Sequence, residues 1–268
     1  MSSKSPEIAV LMPIYNPADD LQNCLDSLRA QTVPFRLFIV DDGSKKKPNY
    51  QALTKGLNCH IIELPNNLGI TGALNVGLTE ILKGDFKYIA RVDYPDLCDP
   101  TRFEKQAAFL LSHPDYCMVG SATHYFYSLS GRTIPAKNPS TFEACQTELR
   151  YNAPLTHGAI MFQIDFWRKL GAYTDQYPAA EDYAMEHYAN AAGYKFCNLP
   201  EQLYTTIEIQ QSISVTSRAK QLNSRLRLQW HYADWFSVHT FFGIIRTLIA
   251  IYVPTNLLHK VKSLSRIP

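Results

Sequence analysis

An α/β fold with a mostly parallel central sheet is what this sequence predicts, and three observations carry the prediction. Short apolar runs alternate with amphipathic stretches from Glu7 to about Val92, the order that gives parallel strands joined by right-handed helical crossovers. Two of the runs end in carboxylates, at Asp41-Asp42-Gly43-Ser44 and from Asp93 to Asp96, and a third ends in Pro13-Ile14-Tyr15-Asn16. Strand ends of a parallel sheet lie at its carboxyl edge, where such folds bind ligands. Acids, amides and an aromatic face gathered there suit a nucleotide, and an enzyme more than a scaffold.

The elements follow in order. Strands are expected at Ile8–Met12, Arg36–Val40, His60–Leu64 and Tyr88–Val92. Leu21, Cys24, Leu25 and Leu28 recur at helical spacing and give the first crossover helix its apolar face, with Asp19, Asp20 and Asp26 turned away. Ala73, Leu74, Gly77, Leu78, Ile81 and Leu82 do the same for the third crossover. After Pro100 a helix with Phe103, Phe109, Leu110 and Leu111 runs to His113-Pro114, and Asp99 stands where it would cap that helix. Strand-like pieces at Tyr116–Gly120 and Ala159–Phe162 make this half mixed sheet. Ser140-Thr141-Phe142-Glu143 has capping-box spacing for a helix reaching about Arg150, and a further helix starts near Ala180 and ends before Gly193.

Composition bounds the function. The chain has 268 residues, 46% of them hydrophobic, enough for a sizeable core. A net charge of +2 gives no reason to invoke nucleic acid. Six scattered cysteines without a C-x-x-C pair, and an N-terminus without an apolar signal core, read as a reduced cytoplasmic protein. From about Ser217 helix formers, aromatics and bases take over, with Arg225, Arg227, Trp230 and Trp235 preceding an apolar stretch from Phe241 to Val253. That stretch, interrupted by Arg246, is shorter than the roughly 20 residues of a spanning helix. Together with Lys260, Lys262 and Arg266 it either lies on a membrane surface, packs on the domain or makes an oligomer contact.

Several segments in one order resemble glycosyltransferase family 2, of the GT-A, Rossmann-like nucleotide-diphospho-sugar transferase fold. They are Pro13 to Asn16, Val40 to Ser44, Asn66 to Gly69 with Ala73 to Leu78, Arg91-Val92-Asp93, Pro100 to Gln106 with His113-Pro114, His157-Gly158, Gly171-Ala172-Tyr173 and Glu181-Asp182-Tyr183. The resemblance covers about residues 7 to 205. It implies one domain over residues 1–216, with a nucleotide-sugar half at about 7–99 and a mixed acceptor half at about 100–216, followed by a C-terminal helical extension over 217–268.

The resemblance also implies roles. Asp42 would bond the base, usually uracil, with Pro13, Tyr15 and Asn16 lining the pocket; a solvated turn is the plainer account of the same acids. Asn67, Gly69 and Asn75 open the third crossover helix, whose free N–H groups favour an anion but equally serve chain reversal. Lys45, Lys46 and Lys47 either attract diphosphate or form a solvated loop. Asp93 matches an acid that contacts ribose or a divalent cation, Mn2+ or Mg2+. Pro95 stands where the family's second, metal-binding carboxylate would be, which leaves Asp93 and Asp96 as metal ligands and Arg91 or His157 as alternatives for the diphosphate.

Asp182 matches the family's general base, which deprotonates the acceptor hydroxyl in an inverting displacement, with Glu181 and His157 beside it on the acceptor side. A helix dipole alone would also favour acids there. The family's later Asp, Trp and Arg, and its Arg-x-His, are replaced by Ala184 to Tyr188 and Thr205 to Glu208. The implied activity is hexosyl or N-acetylhexosaminyl transfer from a UDP-sugar to a saccharide or lipid-linked saccharide, in capsule or lipopolysaccharide assembly, peripheral on the inner membrane face. A catalytically weak nucleotide-sugar-binding or complex-forming protein is the second reading. A nucleotidyltransferase ranks last, because Pro13 to Asn16 is no Gly-rich basic loop.

Overall fold

The computed structural model describes residues 7–128, 130–136, 138–208 and 217–252. Four parallel strands form its first half: β1 (Ile8–Ile14), β2 (Arg36–Asp41), β3 (Cys59–Glu63) and β4 (Tyr88–Arg91). Every residue of β1 and β4 is buried, which is why these strands are continuous apolar runs and not alternating ones. The crossovers are α1 (Leu21–Arg29), a four-residue helix α2 (Tyr50–Leu53) and α3 (Gly69–Ile81), and α1 and α3 bury the residues whose spacing predicts them, save Leu82, which is half-buried just past the end of α3.

The second half continues the same sheet with mixed strand directions. It runs through β5 (Leu97–Cys98), α4 (Arg102–Ser112), β6 (Tyr116–Tyr127), β7 (Arg132–Pro135), α5 (Phe142–Leu149), a 3-10 turn at His157–Ala159, β8 (Met161–Gln163), α6 (Ile164–Leu170), α7 (Glu181–Ala191) and β9 (Lys195–Glu208). The sheet order is β3-β2-β1-β4-β8-β6-β9-β5, with β7 on β6. β8 pairs antiparallel to β4, and β6 antiparallel to β8, so the direction changes where the halves join.

Three sequence expectations need correction. β6 extends seven residues beyond the expected Gly120, because β9, not foreseen at all, pairs with it along its whole length. Ala159 belongs to the 3-10 turn and not to a strand. The cap of α5 is Thr141, whose hydroxyl accepts the Ala144 N–H at 3.2 Å, so the Ser140/Glu143 box is out of register by one residue. Asp99 does serve the start of α4, its carboxylate accepting the backbone N–H and hydroxyl of Thr101.

A buried brace joins the halves. Arg102 is fully buried on α4, and its guanidinium donates to the carbonyls of Arg91 (2.8 Å) and Ile160 (3.2 Å) and to Gln106 (3.0 Å) while lying over the Tyr204 ring. Gln106 in turn donates to Val119 and Ala159 carbonyls. The Pro100-to-Gln106 segment thus ties the end of β4 to β6 and to the turn that leads into β8.

The extension consists of α8 (Arg218–His231) and α9 (Val238–Tyr252). Leu228 of α8 joins the main core, and α8 packs on both α7 and α9. No helix of the described residues is long and apolar enough to cross a membrane. Lys260, Lys262 and Arg266 lie outside the described residues.

Candidate active site

β1, β2 and β4 deliver Pro13 to Asn16, Asp41-Asp42 and Arg91 to Asp93 to one sheet edge, since all three strands are parallel. Pro13 is buried in β1, Tyr15 is exposed, and Asn16 has a positive φ of 46°. Asn16 is held by two bonds, its N–H to the Ser44 hydroxyl (2.7 Å) and its side-chain oxygen from the Lys45 N–H (2.8 Å). The first and second strand ends are therefore stitched into one surface.

Successive strand residues face opposite ways, which separates the two acids of the Asp41-Asp42 pair. Asp41 accepts from the Ser44 N–H and the Tyr50 hydroxyl and shapes its own turn. Asp42 accepts the Leu68 N–H at 2.6 Å, and burial raises its carboxyl above the ordinary range against the pull of that bond. Gly43, at φ 72°, is required here: a Cβ would lie 2.6 Å from the Asn66 carbonyl carbon. Asn67 donates to the Asp42 carbonyl and accepts the Gly69 N–H, so it closes the turn into α3. Asn75 uses both ends of its amide on the backbone of Tyr173, at 2.8 and 3.0 Å. It locks Tyr173 in place with one donor and one acceptor of its amide. Lys47 pairs with Glu63.

The second acidic segment is built around a buried cation. Arg91 is 2% exposed, and its Nε donates to Asp93, whose side chain remains one-third exposed. One Arg91 nitrogen, Nη1, is buried without a partner among the described residues. The Tyr204 hydroxyl accepts the Asp93 N–H at 3.0 Å. Gly158 lies against this pair, since a Cβ would fall 2.2 Å from the Tyr204 hydroxyl and 3.2 Å from the Asp93 carboxyl carbon. His157-Gly158 is a pair for that reason.

Asp96 turns the other way. Its carboxylate accepts the Ile207 N–H of β9 at 2.8 Å, and burial followed by the nearby Asp93 charge pushes it up to about 8. Among the described residues no three His, Cys, Asp or Glu side chains gather into a metal site. The expected Asp93/Asp96 cation pair is therefore not preformed: Asp93 is shared with Arg91, Asp96 is committed to β9, and Pro95 adds no oxygen. Of the two acids, Asp93 keeps a partly exposed carboxylate open to a cation, whereas Asp96 is buried.

Opposite this segment stands the start of α7. Glu181 is buried with Oε2 unpartnered among the described residues, and half-buried Asp182 accepts the Tyr183 N–H at 2.7 Å. Burial raises both carboxyls; the mutual charge lifts Glu181 further, while the Tyr183 N–H and Arg225 of α8 restrain Asp182. Asp93 and Arg91 both act on the two acids, so the three segments share one centre. His157 bonds the Tyr173 hydroxyl through Nε2 at 2.8 Å, and burial holds it neutral, well below the usual histidine range.

The structure thus brings together Asp42 with the Asn67-Gly69 turn in one group, and Arg91, Asp93, His157, Glu181 and Asp182 in a second. Tyr173, Tyr204, Arg102 and Arg225 are contributors the sequence reading missed as site residues. Tyr173 and Arg102 carried a signal, since they lie in the Gly171-Ala172-Tyr173 and Pro100-to-Gln106 segments; Tyr204 and Arg225 act across long sequence distances.

Comparison with known proteins agrees with this geometry. The family model "Glycosyl transferase family 2" matches residues 9–168. The amylovoran biosynthesis glycosyltransferase AmsE of Erwinia amylovora is 30% identical over 201 residues, 73% of this chain and 74% of its own. Among solved structures, S. aureus TarS 1-349 in complex with UDP-GlcNAc aligns with a TM-score of 0.67 at 17% identity, over 91% of this chain and 72% of that one. The mannosyltransferase PcManGT of Pyrobaculum calidifontis, in complex with GDP-Man and Mn2+, gives 0.64 at 15% identity over 99% and 82%. A family match over more than half of the chain and a relative covering nearly three quarters of it, with the same fold in the solved transferases, identify the chain as a glycosyltransferase, a member of glycosyl transferase family 2.

Proposed function

We propose that the enzyme is an inverting transferase that moves a hexosyl or N-acetylhexosaminyl group from a UDP-sugar to a hydroxyl of a saccharide or lipid-linked saccharide. The setting proposed is bacterial surface polysaccharide assembly at the cytoplasmic membrane face, a reading supported by the similarity to AmsE. The observation that carries the mechanism is Asp182, raised by burial at the start of α7 in the same charged centre as Arg91 and Asp93. In one displacement the acceptor oxygen bonds the anomeric carbon, the bond to the diphosphate breaks with its electron pair leaving on UDP, and the hydroxyl proton passes to Asp182. A carboxyl raised towards neutrality is a better acceptor of that proton than an ordinary one.

On the donor side, Asp42 accepts from the base, with Tyr15 beside it and the Asn67-Gly69 turn towards the phosphates. Asp42→Ala is expected to weaken UDP binding by about 1.5–3 kcal/mol, the worth of a charged hydrogen bond. Calorimetric titration of UDP into the folded variant checks this, and unchanged affinity removes the assignment. GDP and CMP as competitors test the base.

Pro95 favours a second reading, a nucleotide-sugar-binding protein of weak activity, because the usual second carboxylate is missing. In the transferase reading a divalent cation, when bound, supplies Lewis-acid stabilisation of the departing diphosphate, and Asp93 is the side chain with an accessible carboxylate. Pro95→Asp is expected to tighten Mn2+ binding and raise turnover. Activity of the unaltered enzyme that survives chelation in full excludes metal dependence, and absence of turnover with every nucleotide sugar and cation favours the binding-only reading.

A further inference from the structure

α9 is built inside out. The residues it turns to the protein are Thr240, Gly243, Ile244 and Thr247, spaced at one helical face and mostly small or polar. Gly243 is pressed so close that a Cβ would lie 2.5 Å from the Arg150 carbonyl oxygen, and the Thr247 hydroxyl donates to Gln229 of α8 at 2.8 Å. Its large apolar side chains, Phe241, Ile245, Leu248, Ile249 and Tyr252, form the opposite face and are exposed. The turn between α8 and α9 adds Trp235 and Phe236, and the first residue of α9 adds Val238; Phe236 is fully exposed and Val238 75% exposed. A helix that packed for burial alone would present the reverse pattern, and a contiguous exposed apolar face marks an interaction site.

Charge decides what covers it. Residues 217–268 hold eight Lys and Arg against the single acid Asp234, a net +7, so residues 1–216 carry the −5 that leaves the chain at +2. Two copies meeting through this face would bring two such cationic segments together. An anionic lipid surface is complementary to it. Trp230 and Trp235, with ring centroids 4.9 Å apart, supply aromatic rings of the kind that sit at headgroup level. At 15 residues α9 is about 22 Å long, too short to cross a hydrocarbon core of about 30 Å.

We infer that the outer face of α9 and the α8–α9 turn dock in the plane of an anionic bilayer, with the apolar side chains in the headgroup and acyl boundary. This deepens, and rests on, the reading of the chain as a transferase acting on a lipid-linked acceptor. α8 lies between α9 and α7, and Arg225 of α8 reaches back to Asn152 and over the Tyr183 ring next to Asp182. Docking through α9 therefore sets the base-bearing helix one helix layer from the lipid.

The test is flotation of the full chain with vesicles of phosphatidylcholine alone and of phosphatidylcholine mixed with phosphatidylglycerol. Binding is expected on the anionic vesicles only and is expected to fall with added salt. The triple variant Phe241→Ser, Ile245→Ser, Ile249→Ser alters outward-facing side chains only, and is expected to bind at least about tenfold more weakly. Its folding is checked by its thermal midpoint and UDP affinity, and Phe236→Ser in the turn with Val238→Ser at the start of α9 provides a second, independent variant. No binding of the unaltered chain to anionic vesicles, or equal binding by the variants, overturns the docking. So does a dimer in solution that the triple variant dissociates. Docking lost with UDP binding intact refutes the surface alone, whereas docking kept with no UDP binding refutes the transferase reading.

Discussion

Asp182→Asn is expected to retain UDP binding and to lose about 100-fold or more of turnover, the contribution of one positioned base. The substitution keeps the side-chain oxygen that accepts the Tyr183 N–H, so the first turn of α7 keeps that bond and the loss reports the missing proton acceptor. The pH profile gives a second readout. Transfer requires Asp182 ionised, and burial raises its carboxyl above the ordinary range, so activity should fall with decreasing pH through a limb displaced upward from that of an exposed aspartate. That limb should vanish from the residual activity of Asp182→Asn. Near-normal turnover in the variant would move the role to Glu181, whose carboxyl is also raised by burial and by its neighbour. Loss of UDP binding would instead make Asp182 structural.

The parts of the fold that the sequence made legible are those whose burial is uniform. β1, β2 and β4 lie under helices and leave continuous apolar runs, and α1 and α3 each bury one stripe. β9 escaped because Lys195, Asn198, Pro200 and Glu201 interrupt its pattern, and its pairing with β6 spans a long sequence separation. α6 escaped because it begins directly after β8 without a glycine or proline between them, the punctuation on which such boundaries are read.

The site divides in the same way. Acids at strand and helix ends, Asp42, Asp93 and Asp182, are visible because position alone aims them at the edge. Sequence position cannot distinguish an amide that meets a ligand from one that ties down backbone: Asn75 bonds Tyr173, 98 residues away. Nor could it show that Asp96 accepts the Ile207 N–H, 111 residues away. Both partners lie on segments that reach the site only through the completed sheet.

That completed sheet depends on Arg102, a fully buried guanidinium whose hydrogen bonds go to backbone carbonyls, Gln106 and the Cys98 sulfur. Arg102→Ala would leave the Arg91 and Ile160 carbonyls without this donor, strip the Tyr204 ring of its cation and open a cavity between α4 and the sheet. Each unsatisfied buried group costs about 1–3 kcal/mol, and the cavity adds to that, so a total loss of about 3 kcal/mol or more is expected in chemical denaturation. The effect should reach function as well, because Arg91 is the last residue of the braced strand and Tyr204 accepts from Asp93. Arg102→Lys restores charge but not the planar fork that serves several acceptors at once, and it should recover only part of the stability. Equal stability of Arg102→Ala and the unaltered chain would mean that the brace between the two halves lies elsewhere, in the β4–β8 pairing itself.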